Sequence, residues 1–288
     1  MIDTLCISGG GSTGVCFVGS VKHLEDQQFF NLENIKTYVG TSSGSLIIFL
    51  FLIGYKSSEI IDFFYKFNLN KIEPNASCIN FFNFLGLDEG EKLLEVARTF
   101  LNEKFNIRDV TFEELFLLTG KNLRIITTNY TKSSVEIFDY ESHPKVSVLL
   151  AIRMSYSVPF LFTPVYYDGC YYIDGALLMN FGIEYCNPET TIGICSHCVT
   201  ENKMDSVLSY VNGLCQLFLT SAGKKIPKEK YNIIEIITGL DDSLDFGFDE
   251  NRINLLLNKG KNLTNDFLCK YESKIALNNI IESIVTIN

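Results

Sequence analysis

Along the first fifty residues the spacing of apolar positions changes twice, and each change marks a switch between strand and helix. Thr4-Leu5-Cys6-Ile7-Ser8 is a short, nearly continuous apolar run, as a strand buried on both faces requires. Beyond a glycine-rich turn, Val15, Val18, Val21 and Leu24 recur at three-residue intervals, which predicts one face of a helix. The pattern then repeats: Ile35 to Val39 predicts a second strand, Gly40-Thr41-Ser42-Ser43-Gly44 a tight turn, and Ser45 to Ile53 a helix apolar on every side. Two successive strand-turn-helix units predict parallel strands.

Further along, Leu93 to Leu101 is amphipathic, Asn122 to Thr128 is strand-like, and Val146 to Met154 predicts a helix that ends before Pro159. Two β-rich runs, Val165 to Tyr167 and Cys170 to Ile173, flank Asp168-Gly169, a strong local hairpin signal. Thr191 to Cys195 and Tyr231 to Ile237 predict later strands, and Ile253, Leu256, Leu257, Phe267 and Leu268 fall at helical spacing. The expectation is an α/β fold with a central, mostly parallel sheet flanked by helices. With no repeat, low-complexity tract or long linker, a single domain over residues 1–288 is the simplest organisation.

Composition narrows the function. With 47% hydrophobic residues the chain has ample material for a core, yet its longest apolar run, Leu46 to Ile53, is far short of the ~20 residues of a spanning helix. A net charge of -10 without clustered Lys and Arg argues against a nucleic-acid partner and against polybasic docking on an anionic membrane. Nine cysteines, an odd number, and no apolar stretch behind a basic leader predict reduced thiols and an intracellular chain, soluble or peripherally bound to a membrane.

The glycine turn Gly9-Gly10-Gly11-Ser12-Thr13-Gly14 has three candidate ligands. A Walker loop would need Lys and then Ser or Thr after the last glycine, where Val15-Cys16 stands. A dinucleotide turn would want an acid at the tip of the second strand, where Gly40-Thr41-Ser42 stands; the nearest acid, Glu33, lies before that strand. The third is a transient oxyanion, held by converging N–H groups and the positive end of the following helix. A nucleophile beside it makes that reading concrete: Gly40-x-Ser42-x-Gly44 has the form of a nucleophile elbow, with Ser42 at a helix N-terminus.

A serine hydroxyl needs a base. His23 falls on the polar side of the first predicted helix and His143 in a surface turn, so both read as solvated. His197 follows Ser and Asp in hydrolase order, a second choice for the base. Its neighbours Cys195-x-x-Cys198 read as ordinary thiols, since no second pair completes a zinc set. Asp174, at the end of the strand before Gly175, is the first choice, because α/β sites gather at strand C-termini.

These pieces together resemble the patatin-like phospholipases, a family of lipid acyl hydrolases. The resemblance rests on Gly9 to Gly14 as oxyanion loop, Gly40-Thr41-Ser42-Ser43-Gly44 as elbow and Asp174-Gly175-Ala176 as aspartate motif, in family order. Softer likenesses are Gly86 to Gly90, Thr111 to Leu115 and Ala151 to Pro164, so it covers roughly Ile2 to Gly182. It implies a three-layer α/β fold completed by residues 183–288. It also implies Ser42 as nucleophile, Asp174 as base, Gly9, Gly10, Gly11 and Gly14 around the oxyanion, and Gly40, Gly44, Gly175 and Ala176 as support. Neither histidine, metal nor cofactor takes part, and the implied partner is a lipid ester at a membrane or lipid surface. The rival within the fold is a lipid-binding or regulatory protein with little turnover. Many members carry Arg or Lys where this chain has Thr13, so either weaker binding of anionic headgroups, with a preference for neutral lipids, or a reordered loop is expected. The aromatic runs Phe63-Phe64-Tyr65 and Phe81-Phe82-Asn83-Phe84 have three readings, acyl-channel lining, bilayer contact and core packing, of which core packing is the expectation for each taken alone.

Overall fold

A computed structural model describes residues 1–67, 77–198, 228–238 and 247–285, together with Tyr210 and Gly213. The described strands are β1 (Thr4–Ile7), β2 (Thr37–Thr41), β3 (Gly86–Asp88), β4 (Asn122–Asn129), β5 (Ser134–Phe138), β6 (Phe160–Phe162), β7 (Val165–Tyr167), β8 (Cys170–Asp174), β9 (Thr191–Cys198) and β10 (Asn232–Thr238). The principal helices are α1 (Gly14–Asp26), α2 (Ser43–Leu52), α3 (Ser57–Lys66), α4 (Cys78–Phe84), α5 (Glu91–Phe105), α6 (Phe112–Thr119), α7 (Val148–Ser155), α8 (Ala176–Met179) and α9 (Glu250–Val285).

The main sheet has eight strands in the order β10-β9-β1-β2-β4-β8-β7, with β5 paired to β4 beside that path. From β10 to β4 every pairing is parallel, and β5, β7 and β8 are antiparallel additions at one end. The first two strand-turn-helix units lie side by side, with Thr4 opposite Thr37 and Ile7 opposite Gly40. β1 is buried along its whole length, which is why its sequence does not alternate. Likewise α2 sits inside the molecule with Ile47 to Ile53 buried, matching its all-round apolar pattern. At the predicted hairpin Asp168 and Gly169 take φ of 47° and 75°, and Tyr167 pairs with Cys170, the geometry of a tight primed turn.

The structure corrects two expectations here. His23 is buried, because α9 crosses α1 on the side the pattern marks as polar: Ser20 Oγ donates to the Gly260 carbonyl at 3.2 Å. Phe29, just past α1, meets Phe267 edge-on at 5.9 Å between ring centres. The second aromatic run is not core. Phe82 is 81% exposed and Phe84 55%, whereas Phe63 and Phe64 do pack against the core. Among the described residues no helix is long and apolar enough to cross a membrane.

Candidate active site

β2 and β8 lie on the same edge of β4 and run towards each other. β4 pairs with β2 as far as Thr41 opposite Ile126, and one residue later with β8, Thr127 opposite Asp174, while β5 covers its other edge. The chain leaving β2 therefore turns at Ser42 where β8 delivers Asp174. Ser42 Oγ donates to Asp174 Oδ2 at 2.6 Å.

Ser42 holds φ 51° and ψ −128°, a conformation a non-glycine residue adopts only under constraint, at a cost of about 1–3 kcal/mol. The constraint is visible. Ser42 N–H donates to Ser155 Oγ at 2.8 Å, and Ser155 Oγ donates in turn to the Ile126 carbonyl at 2.7 Å. Gly44 lets the elbow pass under β1, since a Cβ there would stand 2.4 Å from the Ser8 carbonyl oxygen. Gly40 is the last but one residue of β2, and α2 begins at Ser43, so the helix N-terminus points its N–H groups at the region beside Ser42.

Asp174 is almost fully buried, and burial pushes its carboxyl up from 3.8 to about 7, against the lowering effect of the Ser42 hydroxyl and the Ala176 N–H. The Ala176 N–H donates to Oδ1 at 2.8 Å. The backbone at Asp174 and Gly175 is tied to the end of α7 through Asp174 N–H to Ser157 O, 2.9 Å, and Gly175 N–H to Ser155 O, 3.2 Å. Arg153 clamps that same segment, donating to the carbonyls of Glu89 and Thr163 and the hydroxyls of Ser157 and Thr163.

The glycine loop approaches from β1. At Gly9 a Cβ would lie 2.6 Å from Asn180 Oδ1 and 3.1 Å from Ser42 Cβ, so a side chain would crowd Ser42. The Gly9 N–H is occupied by the Asn180 carbonyl at 3.2 Å and the Gly14 N–H by Gly11 O, which leaves Gly10 and Gly11 as the candidate oxyanion donors. Gly10 N–H donates to Ser43 Oγ at 3.1 Å, so it already points at the residue after Ser42. Thr13 is fully buried and its hydroxyl donates to Gly10 O at 2.6 Å. Thr13 is thus an internal brace of the glycine loop.

The histidines stand elsewhere. His197 Nε2 lies 2.9 Å from Glu235 and 3.4 Å from Cys195 Sγ, two strands along the sheet from β2, about 10 Å at the usual strand spacing. The hydroxyl of Ser42 is spent on Asp174, so the His197 esterase alternative loses its geometric basis. His143 is half-buried against Phe138 and within 3.1 Å of Glu136, instead of solvated, because the turn folds back over β5. Ser155, Asn180 and Arg153 escape sequence reasoning. Ser155 acts through a hydroxyl, Arg153 through a guanidinium and Asn180 through its backbone carbonyl, each brought in from a distant element, and only the Ala151 to Pro164 likeness brushes the first two.

The site is thus a buried Ser-Asp pair on an α/β sheet, under a glycine loop and at the N-terminus of a buried helix. The chain belongs to the patatin-like phospholipase family, whose model matches residues 5–186. Among curated relatives it is similar to a probable lipid hydrolase of invertebrate iridescent virus 6, 34% identical over 63% of this chain and 62% of the other. It is also similar to an uncharacterised protein of Acanthamoeba polyphaga mimivirus, 32% identical over 67% of this chain and 65% of the other. The matched region thus spans just under two thirds of these relatives. Among solved structures, VipD from Legionella pneumophila superposes with a TM-score of 0.60 at 16% identity, covering 93% of this chain and 67% of that one. The type III effector protein ExoU superposes with 0.51 at 13% identity, covering 93% and 53%. These two share the fold.

Proposed function

We propose that this protein is a serine acyl hydrolase of lipid carboxylic esters, with Ser42 as nucleophile and Asp174 as its base, and that the described elements work as a single domain. The observation that carries the proposal is the 2.6 Å bond from a constrained Ser42 to a carboxylate raised to about 7. Family membership and the name of the viral relative support the lipid ester as substrate. Asp174 takes the Ser42 proton as Oγ attacks the ester carbonyl carbon. The tetrahedral oxyanion then displaces Ser43 Oγ from the Gly10 N–H and is held there, with the Gly11 N–H and the positive ends of α1 and α2 around it. Collapse of the intermediate expels the alcohol, which takes the proton from Asp174, and the acyl group stays on Ser42. A water deprotonated by Asp174 then attacks the acyl carbon, the bond to Ser42 Oγ breaks to release the acid, and Asp174 returns the proton to Ser42 Oγ. Loss of one oxyanion donor is worth about 3 kcal/mol, roughly a hundredfold in rate.

The test is intact-mass spectrometry after a fluorophosphonate probe, on wild type, Ser42→Ala, Asp174→Asn and His197→Ala. One adduct on wild type and His197→Ala, and none on the other two, supports the dyad; hydrolysis of phosphatidylcholine vesicles is then measured on the same proteins. A folded but unlabelled wild type replaces this reading with that of a lipid-binding protein without turnover.

The lipid surface has a proposed contact face. Residues 78–87 carry no charge, and Ile79, Phe82, Phe84 and Leu85 are exposed. Phe81 stacks on Phe160 at 6.2 Å, and Phe160 lies three residues from the Ser157 that holds the Asp174 backbone. An uncharged aromatic face on a chain of net charge -10 suits a zwitterionic bilayer surface better than an anionic one.

A further inference from the structure

On the paired strands β9 and β10 a second constellation stands apart from the dyad. Cys195 and His197 are two residues apart on one strand and so share a face of the sheet. Glu235 is the direct cross-strand partner of Cys195. Their ligating atoms, Cys195 Sγ, His197 Nε2 and a Glu235 carboxylate oxygen, all lie within 4.8 Å of one another. Cys195 is buried, while the His197 side chain is 47% exposed and that of Glu235 37%.

What the cluster can do follows from which atoms converge. Sulfur and carboxylate approach the same ring nitrogen: Sγ stands 3.4 Å and Oε1 2.9 Å from Nε2. A nucleophilic Cys-His-acid relay needs them on different nitrogens, the thiol on one and the acid on the other, so that the ring can pass a proton between them. Here one nitrogen would have to accept from the thiol and donate to the carboxylate at once. Three Lewis bases around one point are instead the donor set of a cation. Tetrahedral bonds of about 2.3 Å to sulfur and about 2.0–2.2 Å to nitrogen and oxygen place those atoms roughly 3.4–3.6 Å apart. The two distances to Nε2, 3.4 and 2.9 Å, are therefore within a few tenths of an ångström of ligating values, and the sulfur and carboxylate lie within 4.8 Å of each other.

We propose that Cys195, His197 and Glu235 bind a zinc ion. Thiolate, imidazole and carboxylate together select a borderline divalent metal over calcium or magnesium, which prefer oxygen alone. Two paired parallel strands hold the ligands, and the exposed side leaves a fourth position for water. The sequence shows the thiol and the histidine but hides the third ligand, which comes from the neighbouring strand. The site also touches the catalytic scaffold. Ser196, between the two β9 ligands, donates from its N–H to Ser8 Oγ and from its Oγ to the Gly9 carbonyl, both at 2.9 Å. A bound ion would thus stiffen the strand tip on which the glycine loop rests.

The experiment titrates cobalt(II), as a spectroscopic substitute for zinc, into the reduced, metal-free full chain. The expected result is one equivalent bound with a thiolate-to-cobalt charge-transfer band, displaced by zinc, absent in Cys195→Ser, and at least tenfold weaker in His197→Ala and Glu235→Gln. Zinc should raise the melting temperature of wild type and leave that of His197→Ala unchanged. Should Cys195→Ser fail to fold, the two variants at the exposed rim decide the matter. The proposal is overturned if wild type shows no charge-transfer band, or if His197→Ala and Glu235→Gln bind cobalt as tightly as wild type does.

Discussion

Asp174→Asn removes a charge that the folded protein holds at a cost, and so separates what the carboxylate does for catalysis from what it does to stability. Burial raises Asp174 from 3.8 to about 7. That gap of about three pH units is worth about 4 kcal/mol at ~1.4 kcal/mol per unit. Between about pH 4 and pH 7 the unfolded chain has lost this proton while the folded chain keeps it, so the folded state binds more protons and stability falls as pH rises. Below pH 4 both states are protonated and the penalty vanishes; above pH 7 it levels off at its full value. Asparagine is nearly isosteric and cannot ionise. Its amide oxygen can still accept from the Ala176 N–H, so Asp174→Asn should be the more stable protein, and increasingly so with pH. Urea denaturation of both proteins at pH 5 and pH 8 reads this directly: the stability difference should widen by about 2–3 kcal/mol between the two. The same variant should lose at least ~1000-fold in ester hydrolysis, and wild-type kcat/KM should rise with pH through an apparent pKa near 7. A stability difference that stays constant between pH 5 and pH 8 would refute the assignment of Asp174 as a buried base of raised pKa.

Three further outcomes are expected. Ser155→Ala deprives the Ser42 N–H and the Ile126 carbonyl of their shared partner, which should cost about 1–3 kcal/mol per orphaned group and slow fluorophosphonate labelling of Ser42 at least tenfold. Gly44→Ala drives a Cβ to 2.4 Å from Ser8 O and 2.7 Å from Ile7 O, both backbone atoms that cannot swing aside. A loss of about 3 kcal/mol, seen as a fall in Tm of roughly 6–12 °C, is expected in a thermal melt. Because the chain has no tryptophan, Phe82→Trp provides a lone reporter on the exposed face. Its emission should shift to the blue on phosphatidylcholine vesicles, and an unchanged spectrum would remove α4 as the lipid contact.

Sequence and structure agree where the signal is local. The buried runs Leu5 to Ile7 and Ile47 to Ile53, the turn at Asp168-Gly169 and the elbow around Ser42 are each written within a few residues. Periodicity reports which side chains avoid water, and Gly or Asp-Gly reports where φ turns positive. Those signals determined two parallel strand-turn-helix units, the hairpin and the place of the serine. They were silent on partners. Phe82 is 81% exposed against the expectation of core packing, because an aromatic run looks the same whichever side of the surface it occupies.

The meeting of Ser42 and Asp174 depends on residues 132 apart and on β2 and β8 sharing one edge of β4, a strand order that no local pattern contains. His23 is buried only because α9, over two hundred residues later, crosses α1, and Cys195 has Glu235 beside it only through the register of β9 with β10. The sequence by itself determined the strongly patterned elements, β1, β2, α1, α2 and the β7–β8 hairpin among them, and the chemistry-bearing residues at their ends. The tertiary structure decided which of those ends face one another, since strand order and register minimise the free energy of the whole packed sheet and are not properties of any one segment.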